Sequence, residues 1–219
     1  MVALRRVVAD PRPPLAALAE LVEDPADLDL LLELRAPADS LARDAMKALA
    51  VVAAADRYRG PHAAVVMAPF LMLGPSRFSA GTYGVLYAAN EMDVAVRESA
   101  YHAAAKLAAS SAPPGRVSRF AITMSLDDRN VADVRLASGG DPAIYDANVY
   151  TAAQRVGRDM RTRGHDGLWY DSVRAPGGTC YAVFRPAAIT TVEDASDELA
   201  FVWDGSRIDR YEIVRTFLL

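Results

Sequence analysis

The sequence predicts an α+β fold, in which a mixed or antiparallel sheet with flanking helices follows a helical N-terminal segment. From about residue 63 the chain carries short β-branched or aromatic runs bounded by Gly, Pro, Asn or Asp, a pattern typical of strands. Two longer stretches with helix start and stop signals interrupt these runs. Ahead of them, residues 13–55 are rich in Ala, Leu, Asp and Glu, and their apolar residues recur at helical spacing.

The predicted strands are five short runs. They are AAVVMAPF at 63–70, GVLYAA at 84–89, SRFAITMSL at 118–126, GLWYDSV at 167–173 and TCYAVFRP at 179–186. In the third run apolar residues alternate from Phe120 to Leu126, which indicates a half-buried strand. Near the C-terminal end, Asp204 and Gly205 lie between two further strand-like runs and predict a tight hairpin.

Two helices are predicted between the strands. Asn90 is the expected N-cap of a helix over residues 91–109. A second helix is expected from about residue 148 to residue 163, and Gly164 is expected to end it.

The predicted domain boundary lies at residue 55. Residues 1–55 form the helical N-terminal segment in this interpretation, and residues 56–219 form the α+β domain. Pro25 and Pro37 divide the segment, so two or three short helices fit it better than one long helix. A chain of 219 residues suits one domain of ordinary size, and a second full domain is not expected.

Composition argues against several classes of partner. The formal net charge is −4 and the isoelectric point is near 5.4, so direct nucleic-acid binding is not expected. The longest apolar stretch, residues 63–73, is too short for a bilayer, and no membrane association is expected. Cys180 is the only cysteine and allows no internal disulfide, which favours a reducing compartment and predicts a cytoplasmic location.

Standard catalytic signatures are absent from the sequence. It has neither the G-x-x-x-x-G-K-[ST] pattern of P-loops nor the G-x-G-x-x-G pattern of dinucleotide-binding turns. The run GPSRF lacks the second glycine of a nucleophile elbow, which disfavours a serine hydrolase. The three histidines share no short metal-ligand spacing with each other or with Cys180, so no metal site is expected.

The most informative stretch is residues 74–102. It combines an arginine–aromatic loop at Arg77, a strand bearing Tyr87 and a helix bearing Glu98, whose carboxylate starts from a partly apolar helix face and needs a partner. A structural ion pair of Glu98 with Arg77 or Arg97 explains the residue as well as a catalytic role does.

The remaining candidates have equally plain structural explanations. Core packing is the expectation for the rings of Tyr58 and Tyr87 when each is considered alone. Ser172, by itself, is a turn serine, and each histidine is a surface or packed residue.

Taken in order, these residues resemble the RES-domain family, the toxins of bacterial RES/Xre-type toxin–antitoxin modules named for their Arg, Glu and Ser. The resemblance covers roughly residues 56–190. The matching positions are the pair Arg57 and Tyr58, the pair Arg77 and Phe78, Tyr87 in GVLYAA, Glu98 in VRES and Ser172 in DGLWYDSVRAPGG. The loop GPSRF departs from the family pattern, which has two glycines before arginine and tryptophan.

The resemblance implies a fold like that of ADP-ribosyltransferases and NAD as the substrate, with no cofactor and no metal. It implies that Glu98 is the catalytic carboxylate and that Ser172 hydrogen-bonds Glu98 or the ribose. The implied substrate-binding residues are two arginines for the pyrophosphate and two tyrosines for the nicotinamide, namely Arg57, Arg77, Tyr58 and Tyr87. The implied protein partner is a cognate Xre-type helix-turn-helix antitoxin. The expected assembly is either a homo-oligomer of this chain or a hetero-oligomer of toxin and antitoxin.

Three functions stay open at this point. The first is a toxin that cleaves the nicotinamide–ribose bond of NAD by hydrolysis or phosphorolysis, depletes NAD and arrests growth. The second is a mono-ADP-ribosyltransferase that uses the same site on a protein acceptor. The third is a non-catalytic NAD-binding module in which the same residues are structural.

Overall fold

The computed structural model describes residues 1–9, 47, 49–193 and 197–214. Most of the helices expected over residues 13–55 therefore lie outside the described residues. The described helices are α1 (Ala63–Leu71), α2 (Met92–Ala109) and α3 (Thr151–Thr162). The strands are β1 (Val2–Val8), β2 (Pro75–Ser76), β3 (Ser79–Ala80), β4 (Leu86–Ala89), β5 (Gly115–Leu126), β6 (Val131–Asp133), β7 (Gly167–Asp171), β8 (Thr179–Val183), β9 (Ile189–Val192), β10 (Asp197–Trp203) and β11 (Ile208–Val214).

Nine of these strands form one large sheet. Its order is β11-β10-β5-β1-β4-β8-β7-β6, and β9 pairs with β5 beside this path. The strands pair antiparallel, except that β6 and β7 run parallel. The predicted α+β architecture with a mixed sheet is therefore confirmed.

The long strand β5 organises the sheet. One of its edges pairs with β1 from Phe120 to Leu126, and the other pairs first with β10 along residues 115–121 and then with β9 from residue 124. Met124 and Leu126 are fully buried, in agreement with the predicted alternation of apolar residues. Strand β5 is therefore hydrogen-bonded to a neighbouring strand along both of its edges.

Helices cover both faces of this sheet. On one face Val66 of α1 packs into a cluster with Leu4 and Met124. On the other face Val96 and Ala103 of α2 pack against Ala121 of β5 and the core of β10. Because side chains alternate along a strand, neighbouring residues of β1 and β5 face different helices.

The N-terminal residues differ from the sequence prediction. Residues 1–55 were expected to be a helical segment outside the sheet, but Val2–Val8 is an inner strand between β5 and β4. Seven consecutive residue pairs hold β1 against β5. The run VALRRVV is too short for a stable isolated helix, and its β-branched residues suit a strand.

The run AAVVMAPF is a helix, and the prediction of a strand there was wrong. It forms most of α1, in which Ala63–Met67 and Phe70 are buried. A continuous apolar run has the same pattern in a buried strand and in a helix buried on several sides, so periodicity does not distinguish them.

The other two helices have slightly different ends from those predicted. The N-cap of α2 is Glu91, while Asn90 instead accepts a hydrogen bond from Thr179 Oγ1 at 3.1 Å. Helix α3 begins at Thr151, three residues later than expected. Gly164, at φ +88°, follows its last turn as predicted.

The hairpin predicted at Asp204 and Gly205 is present between β10 and β11, and Gly205 has φ +101°. No helix in the described part of the chain has the length and hydrophobicity needed to span a bilayer.

Helix α3 packs closely against the β2–β3 hairpin at Gly157. A Cβ at Gly157 would overlap the backbone carbonyl of Phe78, so the helix approaches the hairpin only because this residue is glycine. Gly157→Ala is expected to lower the free energy of unfolding by about 1–3 kcal/mol, the usual cost of overpacking. Urea unfolding measures this change.

Gly115→Ala is the matched control, since a Cβ there would meet only an ordinary contact at 3.9 Å. Equal stability of the two variants would contradict the close contact between α3 and the hairpin.

Candidate functional site

A cavity of about 840 Å³ lies where β1 and β4 stop pairing. The two strands share the single pair Arg5 with Ala89. Beyond that pair, the end of β1 forms one wall of the cavity and Tyr87 and Ala88 of β4 form the other. Helix α2 runs along the cavity. The volume of the cavity is in the range that ligand pockets occupy.

Six cationic side chains and one carboxylate line this cavity. The carboxylate is Glu98 of α2. The cations come from strands, loops and α2, and they are Arg5, Arg6, Arg77, Lys106, Arg119 and Arg174. The whole chain has a formal net charge of −4, so this concentration of positive charge is local.

Glu98 is held by a serine from a distant part of the chain. Ser172 Oγ donates a hydrogen bond of 2.6 Å to Glu98 Oε1. The same Oγ accepts the backbone N–H groups of Arg174 at 3.2 Å and Ala175 at 2.9 Å. With both acceptor positions of the hydroxyl occupied, its single proton points at the carboxylate. Ser172 thus fixes the orientation of Glu98, and this contact is one of the two that the family resemblance implies for Ser172.

The ion-pair explanation of Glu98 does not hold. Arg97 pairs instead with Asp93 on the exposed face of α2, at 2.7 Å. Arg77 donates to backbone carbonyls, and within the described residues Glu98 forms no ion pair. The helix face that carries Glu98 is also less apolar than predicted, because Tyr101, three residues further along α2, is exposed.

Arg77 lies at the turn of the β2–β3 hairpin, and Tyr87 holds that turn on both sides. The Tyr87 hydroxyl lies 2.9 Å from Ser76 Oγ and accepts the backbone N–H of Phe78 at 3.0 Å. Burial raises the pKa of Tyr87 to about 12, so the hydroxyl stays protonated at neutral pH. Ser76, where the family pattern has glycine, is therefore a bonded part of the hairpin.

Helix α3 supports the same hairpin from outside. Gln154 Nε2 donates to the backbone carbonyls of Ser76 at 3.0 Å and Ser79 at 3.3 Å. Phe78 is fully buried and packs edge-on against Tyr170, with ring centroids 4.8 Å apart. These contacts give Arg77 a rigid backbone.

The guanidinium of Arg77 is only partly used by the protein. Nη1 donates to the carbonyls of Ile144 and Asp146, both at 2.9 Å, and the group lies over the Tyr150 ring at 4.6 Å. Within the described residues, Nε and Nη2 have no hydrogen-bond partner. Three N–H donors of a preorganised fork are therefore available at the cavity.

Arg6 brings a second guanidinium into the gap between the strands. Its Nη1 donates to the carbonyl of Tyr87 at 2.9 Å, which links β1 to β4 past their last backbone pair. Its Nε is buried and has no hydrogen-bond partner among the residues that the structure describes. Burial lowers the pKa of Arg6 to about 10, so the group is still charged at neutral pH.

Arg174 and His102 complete the surroundings of Glu98. The Arg174 guanidinium lies 3.5 Å from the centre of the Tyr101 ring, and Nη2 donates to the carbonyl of Ala147 at 2.6 Å. His102 follows Glu98 by one helical turn. Desolvation lowers the pKa of His102 against the opposing effect of Glu98, and Arg174 lowers it further.

None of the six cations pairs with a carboxylate in the part of the chain that the structure describes. The ion pairs of this region involve other residues, such as Arg97 with Asp93 and Arg116 with Glu212. Cations that have no carboxylate partner among the described residues raise the local potential, so an anion binds there more favourably than at an ordinary surface.

Cys180 also lines the cavity, but it is a poor nucleophile. Burial raises the pKa of the Cys180 thiol to about 12, and the nearby Glu98 charge raises it as well. A thiol that stays protonated at neutral pH does not supply the thiolate that nucleophilic catalysis needs.

Two of the predicted substrate-binding residues are not part of this cavity. Arg57 donates to the carbonyls of Val52 at 3.1 Å and Leu49 at 3.0 Å, and Tyr58 is 6% exposed in the core cluster beside α1. The structure does bring together Arg77, Tyr87 and Glu98, with Ser172 behind Glu98.

Sequence reasoning missed Arg6, Arg174, His102 and Arg119. The spacing of Glu98 and His102, four residues apart in a helix, was the one available signal for His102. Arg174 follows Ser172 by two residues, and its sequence position indicates only a turn. Nothing in the sequence separates Arg6 from Arg5, because the gap between β1 and β4 decides which contacts each makes.

Fold and site together define an α+β protein whose sheet opens into a cation-rich cleft around one fixed carboxylate, the arrangement suited to an anionic ligand. The RES domain, as described by its family model, matches residues 51–204, which is well over half of the chain. The protein therefore belongs to the RES-domain family. The match begins after β1, so Arg6 lies outside it.

Other comparisons add little. A solved structure that aligns with part of the chain is the crystal structure of the M. tuberculosis MbcT–MbcA toxin–antitoxin complex. The identity is 15%, the TM-score is 0.37, and the alignment covers 64% of this chain and 71% of that one. A superposition this weak carries no information on function. No curated protein matches the sequence significantly.

Removing the hydroxyl of Tyr87 tests its role under the Arg77 hairpin. The native pKa is about 12 and the ordinary value is 10.0, so the unfolded chain loses this proton first. Stability from this group is complete below pH 10 and is lost as the pH rises through 12. Tyr87→Phe is expected to cost about 1–3 kcal/mol at neutral pH, because the Phe78 N–H and Ser76 lose their partner.

Chemical unfolding at neutral pH and between pH 10 and 12 measures both effects, with the exposed Tyr211→Phe as control. The wild type should lose more stability than Tyr87→Phe over that alkaline interval. The same alkaline loss in both proteins would show that Tyr87 is not the group responsible.

Proposed function

We propose that this protein binds NAD in the cavity between β1 and β4 and cleaves the bond between nicotinamide and ribose. The observation that carries the proposal is the Glu98 carboxylate, oriented by Ser172 and facing cations that have no carboxylate partner in the described residues. Membership of the RES-domain family supports the same conclusion. NAD is the substrate, and the reaction as proposed uses no metal and no further cofactor.

The cations account for binding. The pyrophosphate of NAD carries two negative charges, and a guanidinium binds phosphate oxygens through paired, charge-assisted hydrogen bonds. Arg77 has three N–H donors without a partner among the described residues, and Arg6 also lines the cavity. We assign the pyrophosphate to these two arginines, with Arg174 beside Glu98 as a third. This assignment replaces Arg57, which donates to the backbone carbonyls of Val52 and Leu49 outside the cavity.

Glu98 accounts for the chemistry. When the ribose–nitrogen bond breaks, nicotinamide leaves with the bonding electron pair as a neutral molecule, and the ribose carbon becomes positively charged. A fixed carboxylate stabilises that charge more in the transition state than in the bound substrate. An oxygen of water or phosphate then bonds to the same carbon, and water releases its proton to solvent. The leaving group needs no acid, so one carboxylate is sufficient.

The two tyrosines have different parts in this proposal. Tyr87 positions Arg77 through the hairpin, and its ring lines the cavity where an aromatic face suits the cationic nicotinamide. Tyr58 is a core residue with no contact to the cavity. Ser172 is a positioning residue, since its hydroxyl acts through Glu98.

At the level of the cell, we propose that the protein is the toxin of a toxin–antitoxin pair. Loss of NAD would arrest growth, so the host needs a cognate inhibitor, and an Xre-type helix-turn-helix antitoxin is the partner proposed. The cytoplasm, where the NAD pool lies, is the proposed site of action. An ADP-ribosyltransferase-like arrangement of the sheet remains part of this proposal.

Replacing Glu98 by glutamine separates catalysis from binding. Glu98→Gln still accepts the hydrogen bond of Ser172, so fold and NAD affinity should be kept. The charge that stabilises the cationic ribose is lost, and turnover should fall by about two to three orders of magnitude. Nicotinamide release from NAD alone, in the presence of a chelator, measures the rate. Glu91→Gln, an exposed residue just before α2, is the control.

Three results would contradict the assignment. A folded Glu98→Gln protein with wild-type turnover would remove Glu98 from the chemistry. Tight NAD binding by the wild type without nicotinamide release would indicate a binding module. Nicotinamide release that requires an added protein and labels it would indicate a mono-ADP-ribosyltransferase.

Arg77→Lys tests the proposed pyrophosphate contact. Lysine keeps the positive charge but loses the planar fork of the guanidinium. A difference in NAD affinity between the two proteins therefore does not come from charge alone. Losing charge-assisted hydrogen bonds should weaken NAD binding about tenfold to a hundredfold. Calorimetric titration of Glu98→Gln protein with and without Arg77→Lys avoids turnover. The control is Arg97→Lys on the exposed face of α2. Equal NAD affinity of the Arg77→Lys and Arg97→Lys proteins would exclude Arg77 from the pyrophosphate contact.

A further inference from the structure

We propose that Lys106 and Arg119 form a second phosphate subsite in the same cavity, which takes the phosphate on the adenosine ribose of an NADP-type dinucleotide. The inference rests on the proposed function, because it concerns which dinucleotide that site prefers. It starts from two cations that the pyrophosphate does not need.

The position of Lys106 separates it from the reacting carboxylate. Glu98, His102 and Lys106 follow one another at intervals of four residues on α2, so all three face the cavity. Eight residues of helix place Lys106 about 12 Å from Glu98 along the axis. A group bound at Lys106 therefore lies far from the bond that breaks.

Arg119 lies on the strand beneath the same end of α2. Its guanidinium is 5.6 Å from the centre of the Phe201 ring, and Phe201 packs in one cluster with Ala103, which precedes Lys106 by three residues. Arg119 Nη1 donates to the carbonyl of Ser118 at 2.8 Å. Its other donors have no partner within the described residues, and burial lowers the pKa of Arg119.

The charge balance of the cavity favours a third phosphate. Six cations and one carboxylate leave an excess of five positive charges. The two negative charges of a pyrophosphate, partly offset by the cationic nicotinamide, leave most of that excess uncompensated. A ribose monophosphate adds about 1.5 to 2 negative charges at neutral pH. Lys106 and Arg119 line the same cavity as Glu98, and with nicotinamide assigned to Glu98 we assign the adenosine end to these two cations.

Free inorganic phosphate has the same recognition chemistry, but distance argues against it as the ligand here. A phosphate that attacks the ribose carbon must approach the Glu98 end of the cavity. The backbone of Lys106 lies about 12 Å from that of Glu98 along α2, so a phosphate held by both Lys106 and Arg119 is displaced from the Glu98 end. A phosphate attached to the adenosine ribose needs no such approach.

Binding of nucleotides that lack nicotinamide tests the subsite without turnover. Adenosine 2′,5′-bisphosphate should bind at least about tenfold more tightly than adenosine 5′-monophosphate, and Lys106→Gln with Arg119→Gln should abolish the difference. In kinetics, the ratio of kcat/KM for NADP to that for NAD should fall by a similar factor in the double variant. Arg116→Gln, on the same strand and paired with Glu212, should leave both ratios unchanged.

Each outcome distinguishes the subsite from the proposed function. Equal binding of the two adenosine nucleotides by wild-type protein overturns the subsite, and NAD cleavage in the same sample leaves the proposed function standing. Preferred binding of the bisphosphate without cleavage of either dinucleotide keeps the subsite and overturns the proposed function. NAD cleavage that rises with inorganic phosphate and loses this response in the double variant assigns the subsite to free phosphate and overturns the inference. Melting temperatures and the two single variants identify any loss that comes from misfolding.

Discussion

The hydrogen bond from Arg6 to the carbonyl of Tyr87 is the contact on which the site depends. It joins β1 to β4 at the point where backbone pairing between them has ended, after Arg5 with Ala89. Continued backbone pairing there would close the space between the two strands, which line two walls of the cavity. A charged side chain holds the strands together instead, and the space beside it becomes the cleft. The lowered pKa of Arg6 reflects the cost of burying that charge, which a bound anion would offset.

The second constraint is the rigidity of the groups around the cleft. Ser172 holds Glu98, Tyr87 holds the hairpin that carries Arg77, and α3 approaches that hairpin through Gly157. These supports come from separate parts of the chain and meet only in the folded protein. Because the groups are oriented before a ligand binds, the proposed reaction would need little reorganisation of the site as charge develops on the ribose.

The predictable and unpredictable parts of this protein differ in physical origin. The β5 strand, the Gly164 helix end and the hairpin at Gly205 follow from local pattern and turn chemistry, and they were predicted. Glu98 and Ser172 were predicted as site residues from a family resemblance, because neither residue has a local sequence signature of function. Helix α1 was misjudged because a short apolar run fits both a strand and a buried helix. Strand β1 was misjudged because residues 1–55 were treated as one helical segment, although the run VALRRVV suits a strand. Arg6 acquires its role from a gap in the sheet, which no local pattern encodes.

A crystal structure of the Glu98→Gln protein with NAD bound tests the central claim most directly. The account predicts the pyrophosphate on the guanidinium groups of Arg6 and Arg77, and the nicotinamide ribose against residue 98. The bond to nicotinamide should be intact, since the variant lacks the charge needed to break it. NAD bound at another surface, or bound in the cleft with its ribose remote from residue 98, would contradict the account.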